Sequence, residues 1–261
     1  MKDGGTQNFY LSMFPNLEFQ KGGYGGMKKI SLSIVAIFIL LVPTFVTKVF
    51  GASGQAVLAE IQKRYQTTND IEASFLQEYV GKVMKQHLKR EGKVYFKKKG
   101  MMRWDYRIPD QKFISDGNTL WFYQADENQV FVSDVSKAIK EKTPLAFLSG
   151  EGDLSKDFNL LNFNEAISQK EEHFVFELVP KESDAALSKL VLTIDKKSYY
   201  IAQADVFDHL GNVTRTRFID TKTNVGLANS FFHFAIPPGT EVIKMQEPSS
   251  APPGRKGTPS K

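Results

Sequence analysis

Four histidines, His87, His173, His209 and His233, are the first candidates for acid–base or metal chemistry, and their spacing argues against both. No two stand at a separation that would bring paired imidazoles to one ion. Cysteine is absent, which excludes disulfides, thiolate metal sites and a thiol nucleophile. Neither a G-x-S-x-G elbow nor a glycine-rich phosphate loop occurs. Asp105, Asp110, Asp116 and Asp126 do crowd into one stretch, as a carboxylate pair for glycoside hydrolysis would require. Turns also recruit aspartate for local hydrogen bonding, and the same stretch is full of turn signals. These residues describe a binding protein, with no catalytic group, metal or cofactor, better than an enzyme.

What the chain holds in excess is apolar surface, and both tryptophans fall between Met101 and Val132. There Met102, Trp104 and Tyr106 alternate with Met101, Arg103 and Asp105, the period of a strand with two unlike faces. Pro109-Asp110 breaks that strand and Lys112-Phe113-Ile114 starts the next. Asp116-Gly117-Asn118 is a tight-hairpin signal. Thr119 to Tyr123 is almost continuously apolar, and Asp126-Glu127-Asn128 turns the chain into Gln129–Val132. The stretch reads as an antiparallel meander. Met102, Trp104, Trp121, Phe122, Tyr123 and Phe131 are candidates for its core. A single curved sheet cannot pack against itself across a wide barrel, so helices, a ligand or both must fill its concave side.

The elements that position this meander begin after a leader. Residues 1–26 are glycine-rich and unlike the rest of the chain, and Met27 is the expected start. Met27-Lys28-Lys29, the apolar run Ile30–Val42 and the small residues up to Gly51 form a signal peptide, cleaved between Gly51 and Ala52. The expected domain spans 52–245, with a tail over 246–261 too poor in apolar groups to fold. Ser53 can cap a helix beginning near Gln55, with Val57, Leu58, Ile61 and Tyr65 on one face. A strand starts at Ile71. Lys82 to Lys99 carries eight lysines and arginines among apolar residues, with Gly92 at a possible bulge. That run is either a solvated face protecting an edge or a contact for anionic lipid or phosphate; the net charge of +5 permits but does not demand the second. Val135–Lys140 and Pro144–Gly150 read as short helices. Strands resume over 173–179, 187–194, 200–207 and 213–220, and Phe231, Phe232 and Phe234 form a last one closed by Pro237-Pro238-Gly239. The pattern is one all-β domain of about ten strands with helices at two points.

These residues resemble the periplasmic outer-membrane lipoprotein carrier family, LolA. The resemblance rests on Ser74-Phe75-Leu76-Gln77, the strand ending Trp104-Asp105-Tyr106, Pro109-Asp110, and S-D-G-N-T-L-W-F-Y from Ser115 to Tyr123. Gln129-Val130, Thr143-Pro144 and the Phe234–Gly239 segment continue it, so that it covers about residues 55 to 243. The Ser115–Tyr123 segment is the specific part; the others support it by order and spacing.

The resemblance implies a mainly β fold, a half-open antiparallel β-barrel of about ten to eleven strands with helices forming a lid over the concave face. It implies a periplasmic chaperone that takes acylated lipoproteins from an inner-membrane ABC-type releasing complex and delivers them to an outer-membrane lipoprotein acceptor. It would act as a monomer and bind no nucleic acid. The lipid-binding cavity is then expected from Phe75, Phe96, Met102, Trp104, Tyr106, Trp121 and Tyr123 on the sheet and from Leu145 and Leu148 on the lid. The family's lid-bonding arginine falls at Lys98, which can donate to a carbonyl but lacks the planar guanidinium fork. A periplasmic lipid- or peptide-sensing half-barrel and a secreted hydrolase stay open as other readings.

Overall fold

The computed structural model describes residues 53–135, 147, 152–167, 172–183 and 187–244. Helix α1 (Gly54–Thr67) comes first, capped by Ser53, whose hydroxyl accepts from the Ala56 N–H at 3.2 Å. It buries Val57, Leu58, Ile61 and Tyr65, the stripe that its spacing predicts. Thr68 is extended and stops the helix.

Six strands come next: β1 (Asp70–Gly81), β2 (Gln86–Lys97), β3 (Met101–Tyr106), β4 (Gln111–Asp116), β5 (Thr119–Gln124) and β6 (Gln129–Asp134). After the one-turn helix α2 (Leu154–Asp157) come β7 (Phe158–Ile167), β8 (Glu172–Pro180), β9 (Lys189–Asp195), β10 (Ile201–Phe207) and β11 (Val213–Thr223). A 3-10 turn at Asn229–Phe232 precedes β12 (Glu241–Lys244). All twelve belong to one sheet, ordered β12-β6-β5-β4-β3-β2-β1-β11-β10-β9-β8-β7. Every pairing is antiparallel except β12 on β6. The edges β12 and β7 do not meet, so the sheet stays open, as the half-open barrel requires.

Three local expectations change. Phe231–Phe234 is not a strand. These rings sit on a strap, residues 224–240, that leaves β11, crosses the sheet's outer face and ends as β12 beside β6. Three phenylalanines within four residues look like a strand because periodicity does not distinguish a ladder from a segment lying across one. Strand β7, with asparagines at 159, 162 and 164, shows too weak an alternation to be read from sequence. Gly92 stands at no bulge: its register with both β1 and β3 is unbroken, and the shift in β1 falls between Glu72 and Ser74 against β11. Gly92 is needed for close approach, since a Cβ there would lie 2.0 Å from the Asp105 carbonyl oxygen.

The turns obey their chemistry. The Asp116 carboxylate accepts from the N–H groups of Asn118 and Thr119 at 2.9 and 2.8 Å, and Gly117 adopts φ +96° between them. Asp110 pairs with Lys112, and Asp105 pairs with Arg103. These three aspartates of the meander are thus engaged in a turn and in ion pairs.

Candidate functional site

Cross-strand register decides what the meander can bind. Phe75 faces Gly92, which faces Tyr106; Val94 faces Trp104, which faces Phe113; Phe96 faces Met102. Side chains directly opposite share a face, so Phe75, Phe96, Met102, Trp104 and Tyr106 come together on the inner face, the one α1 covers. Their rings interlock edge to face, with Phe75 4.9 Å from Trp104 and 5.0 Å from Tyr106, and Phe96 5.7 Å from Trp104. Phe113 and Phe122 continue the surface as a stacked pair at 4.2 Å.

Trp121 and Tyr123 are not part of it. Trp121 stands opposite Ile114, and Ile114 opposite Arg103, which places Trp121 and Tyr123 on the outer face and leaves Phe122 between them on the inner one. There they form a second, smaller cluster with Ile114, Val130 and Phe234. The run Leu120-Trp121-Phe122-Tyr123 is apolar on both faces, so its period carries no information about which ring points inward.

Residues 136–146 and 148–151 lie outside the described residues, so the expected lid residues Leu145 and Leu148 and most of the two predicted helices do too. Between them Phe147 is described: it is helical, buried, and 4.6 Å from the Tyr65 ring of α1. The α1 helix itself rests on the β7–β10 half of the inner face. Gly54 abuts Phe163 and Leu160, the Tyr65 hydroxyl oxygen accepts from the Ile201 N–H at 3.1 Å, and the Thr68 hydroxyl bonds that of Tyr200. Burial pushes the Tyr65 hydroxyl far above the ordinary tyrosine value, so it stays protonated. Lys98 occupies the β2–β3 turn, where its backbone N–H donates to the Asn69 carbonyl. The neighbouring Lys97 ammonium bonds the Leu227 carbonyl at 2.5 Å.

Two features of the inner face could not be read from the sequence. The first is a polar belt beside the rings, at the end of the sheet where the β1–β2 hairpin turns. Tyr106 donates to Gln77 at 3.1 Å, Gln77 to Thr216 at 3.0 Å, and Arg90 to Gln111 at 2.8 Å. Each glutamine is visible in the sequence, but only the register joins them. The second is the Trp104 indole N–H, a buried donor without a hydrogen-bond partner among the described residues. Such a group costs about 1–3 kcal/mol. A separate open groove of about 510 Å³ lies near the hairpin, lined by Leu76, Glu78, Lys89, Arg90, Arg215 and Arg217 among others. Charged side chains line it alongside Leu76, Gln77 and Ile108.

An open antiparallel sheet whose inner aromatics are covered by helices is the architecture the family resemblance implies. The sequence model of the family "Outer membrane lipoprotein carrier protein LolA" matches residues 66–235, more than half of the chain. The chain belongs to this family. A Methylobacillus flagellatus outer-membrane lipoprotein carrier protein is 31% identical over 154 residues, covering 59% of this chain and 72% of that protein. One from Legionella pneumophila is 26% identical over 211 residues, 80% of this chain and 98% of its own length. Among solved structures, a LolA superfamily protein from Nitrosomonas europaea superposes with a TM-score of 0.39 at 12% identity, covering 69% of this chain and 97% of that one. The LolA match begins inside α1 and ends within the strap, so it includes all five inner-face residues and both outer aromatics.

Proposed function

We propose that this LolA-family chain is a periplasmic carrier that shields the acyl chains of lipoproteins released from the inner membrane and passes them to an outer-membrane acceptor. The observation that supports this reading most is the inner face. Phe75, Phe96, Met102, Trp104 and Tyr106 form one contiguous, buried apolar surface on the face that also carries α1; a cover made of helices, as the family resemblance implies, can move without breaking a strand ladder. A palmitate-like chain exposes about fifteen methylenes to water, worth roughly 12 kcal/mol at ~0.8 kcal/mol each. It cannot cross an aqueous compartment unescorted.

In the proposed cycle the lid opens and the acyl chains enter a cavity lined by Met102, Trp104, Leu145 and Leu148. Lys98 is the proposed donor to a carbonyl of the closed cover, in place of the family's arginine. Donor and acceptor of the cargo are proposed to be an inner-membrane ABC-type releasing complex and an outer-membrane lipoprotein. No bond is made or broken, so the cycle requires no catalytic residue. Affinity is set by the difference between acyl contacts and the cover's own contacts, which keeps release possible.

Native mass spectrometry of the exported chain with detergent-solubilised triacylated lipoprotein tests this. A one-to-one complex is expected to survive detergent removal with wild type and with Met102→Leu, and to be lost in Met102→Glu while circular dichroism shows the sheet intact. Absence of a complex with folded wild type, or normal loading of folded Met102→Glu, overturns the assignment.

A further inference from the structure

The basic run from Lys82 to Lys99 splits in the structure. Its last part lies within the β2–β3 pair, while its first part forms the tip of the β1–β2 hairpin. Strand β2 pairs with β3 only from Gly92 onward, so Gln86–Glu91 carries the hairpin past its neighbour by about 20 Å at ~3.4 Å per residue. The apex of the turn is Val83-Met84, at 69% and 62% exposure. The β10–β11 turn stands alongside, joined by a 2.9 Å hydrogen bond from the Lys82 N–H to the Asn212 side chain, and carries Leu210 at 66% exposure.

Turn geometry does not ask for these residues. Hairpin tips recruit glycine, asparagine and aspartate, and Lys85 adopts a positive φ of 51°, where glycine would be unstrained. Three large apolar side chains therefore stand in water at one end of the sheet, and folding gains nothing from them. A basic collar surrounds them: Lys82 and Lys85 within the turn, Lys89 on β2 and Arg215 on β11. Among the described residues neither Lys82 nor Lys85 has a carboxylate within ion-pair distance. The nearby acids are committed, Glu78 to His87, Lys89 and Arg215, and Asp208 to the N–H groups of Leu210 and Asn212.

We infer that this tip docks on the surface of an anionic phospholipid bilayer. Val83, Met84 and Leu210 enter the boundary between headgroups and acyl chains, while the lysines bind headgroup phosphates. Three apolar side chains on two adjacent turns offer little of the area a stable protein interface needs, whereas a bilayer is engaged by a few apolar side chains with basic neighbours. The inference goes beyond the carrier reading and does not depend on what the inner face holds.

The absence of cysteine makes a local test possible. Met84→Cys, Leu210→Cys and, at the opposite end of the sheet, Lys197→Cys are each labelled with an environment-sensitive fluorophore and titrated with mixed phosphatidylglycerol–phosphatidylcholine vesicles. Emission at 84 and 210 is expected to rise severalfold and shift to the blue, to be competed away by unlabelled wild type, and to stay flat at 197. Adding Lys82→Gln and Lys85→Gln to the position-84 probe should raise the lipid needed for half-response roughly tenfold or more. No response at 84, an equal response at 197, or an equal response on pure phosphatidylcholine vesicles overturns the inference.

Discussion

Strands β2–β5 turn Phe96, Trp104, Tyr106, Phe113 and Phe122 inward and Tyr95, Trp121 and Tyr123 outward, and the contacts of the two sets differ in kind. On the outer face the strap is tied down by polar groups along its length. The Asp70 carboxylate accepts from the N–H groups of Val225, Gly226 and Leu227 at 2.7, 3.1 and 3.2 Å. Further along, Arg103 bonds the Phe231 carbonyl, lies 4.7 Å over the Phe231 ring and pairs with Asp105. His233 meets the Trp121 ring edge, Phe234 meets Tyr123, and Asn128 holds the Gly239 carbonyl. On the inner face the contacts around Trp104 are rings against rings, and its indole N–H has no partner among the described residues. Directional bonds fix a cover in one place; apolar contacts can be exchanged for others of equal area. The proposed carrier cycle needs such a difference, with a fixed seal outside and an exchangeable apolar surface inside.

Removing the anchors should break the outer seal first. Asp70→Ala removes the buried carboxylate that three strap N–H groups share and is expected to cost about 2–3 kcal/mol in urea denaturation. A loss below ~1 kcal/mol would show that the strap is held elsewhere. Arg103→Met removes the ion pair, the carbonyl bond and the ring contact together, for about 2–3 kcal/mol. The inner face should respond the other way. Trp104→Phe deletes an unpartnered donor along with some packing, so the two effects offset and stability should stay within about 1 kcal/mol of wild type. A loss as large as that of Arg103→Met would mean that the indole N–H is engaged after all.

The smallest effect lies at the hairpin. The Glu78 carboxyl is held below its ordinary value of 4.5, mainly by the hydrogen bond to His87 at 2.5 Å, with Lys89 and Arg215 adding to it. A folded value below the unfolded one means that this contribution is fully present above the ordinary value and is lost as pH falls through the folded value. Carboxyl NMR should find Glu78 titrating below 4.5 and moving up in His87→Ala. Titration at or above 4.5 in wild type would exclude the pairing in solution.

Much of this molecule is legible without coordinates. Ser53 and the Val57, Leu58, Ile61, Tyr65 stripe determine α1, because a cap and a helical period are local properties. The alternation Met102, Trp104, Tyr106 and the Asp116-Gly117-Asn118 turn determine the meander for the same reason. Family membership is also legible, in Ser115–Tyr123 above all. Tertiary structure alone decided which side of β5 each ring takes, because a strand apolar on both faces has no period to read. It alone turned Phe231–Phe234 from a strand into a strap, since what those rings touch is set by strands more than 100 residues earlier in sequence. It also left Trp104 without a partner among the described residues and Val83, Met84 and Leu210 in water, for hydrogen bonding and exposure depend on which segments meet.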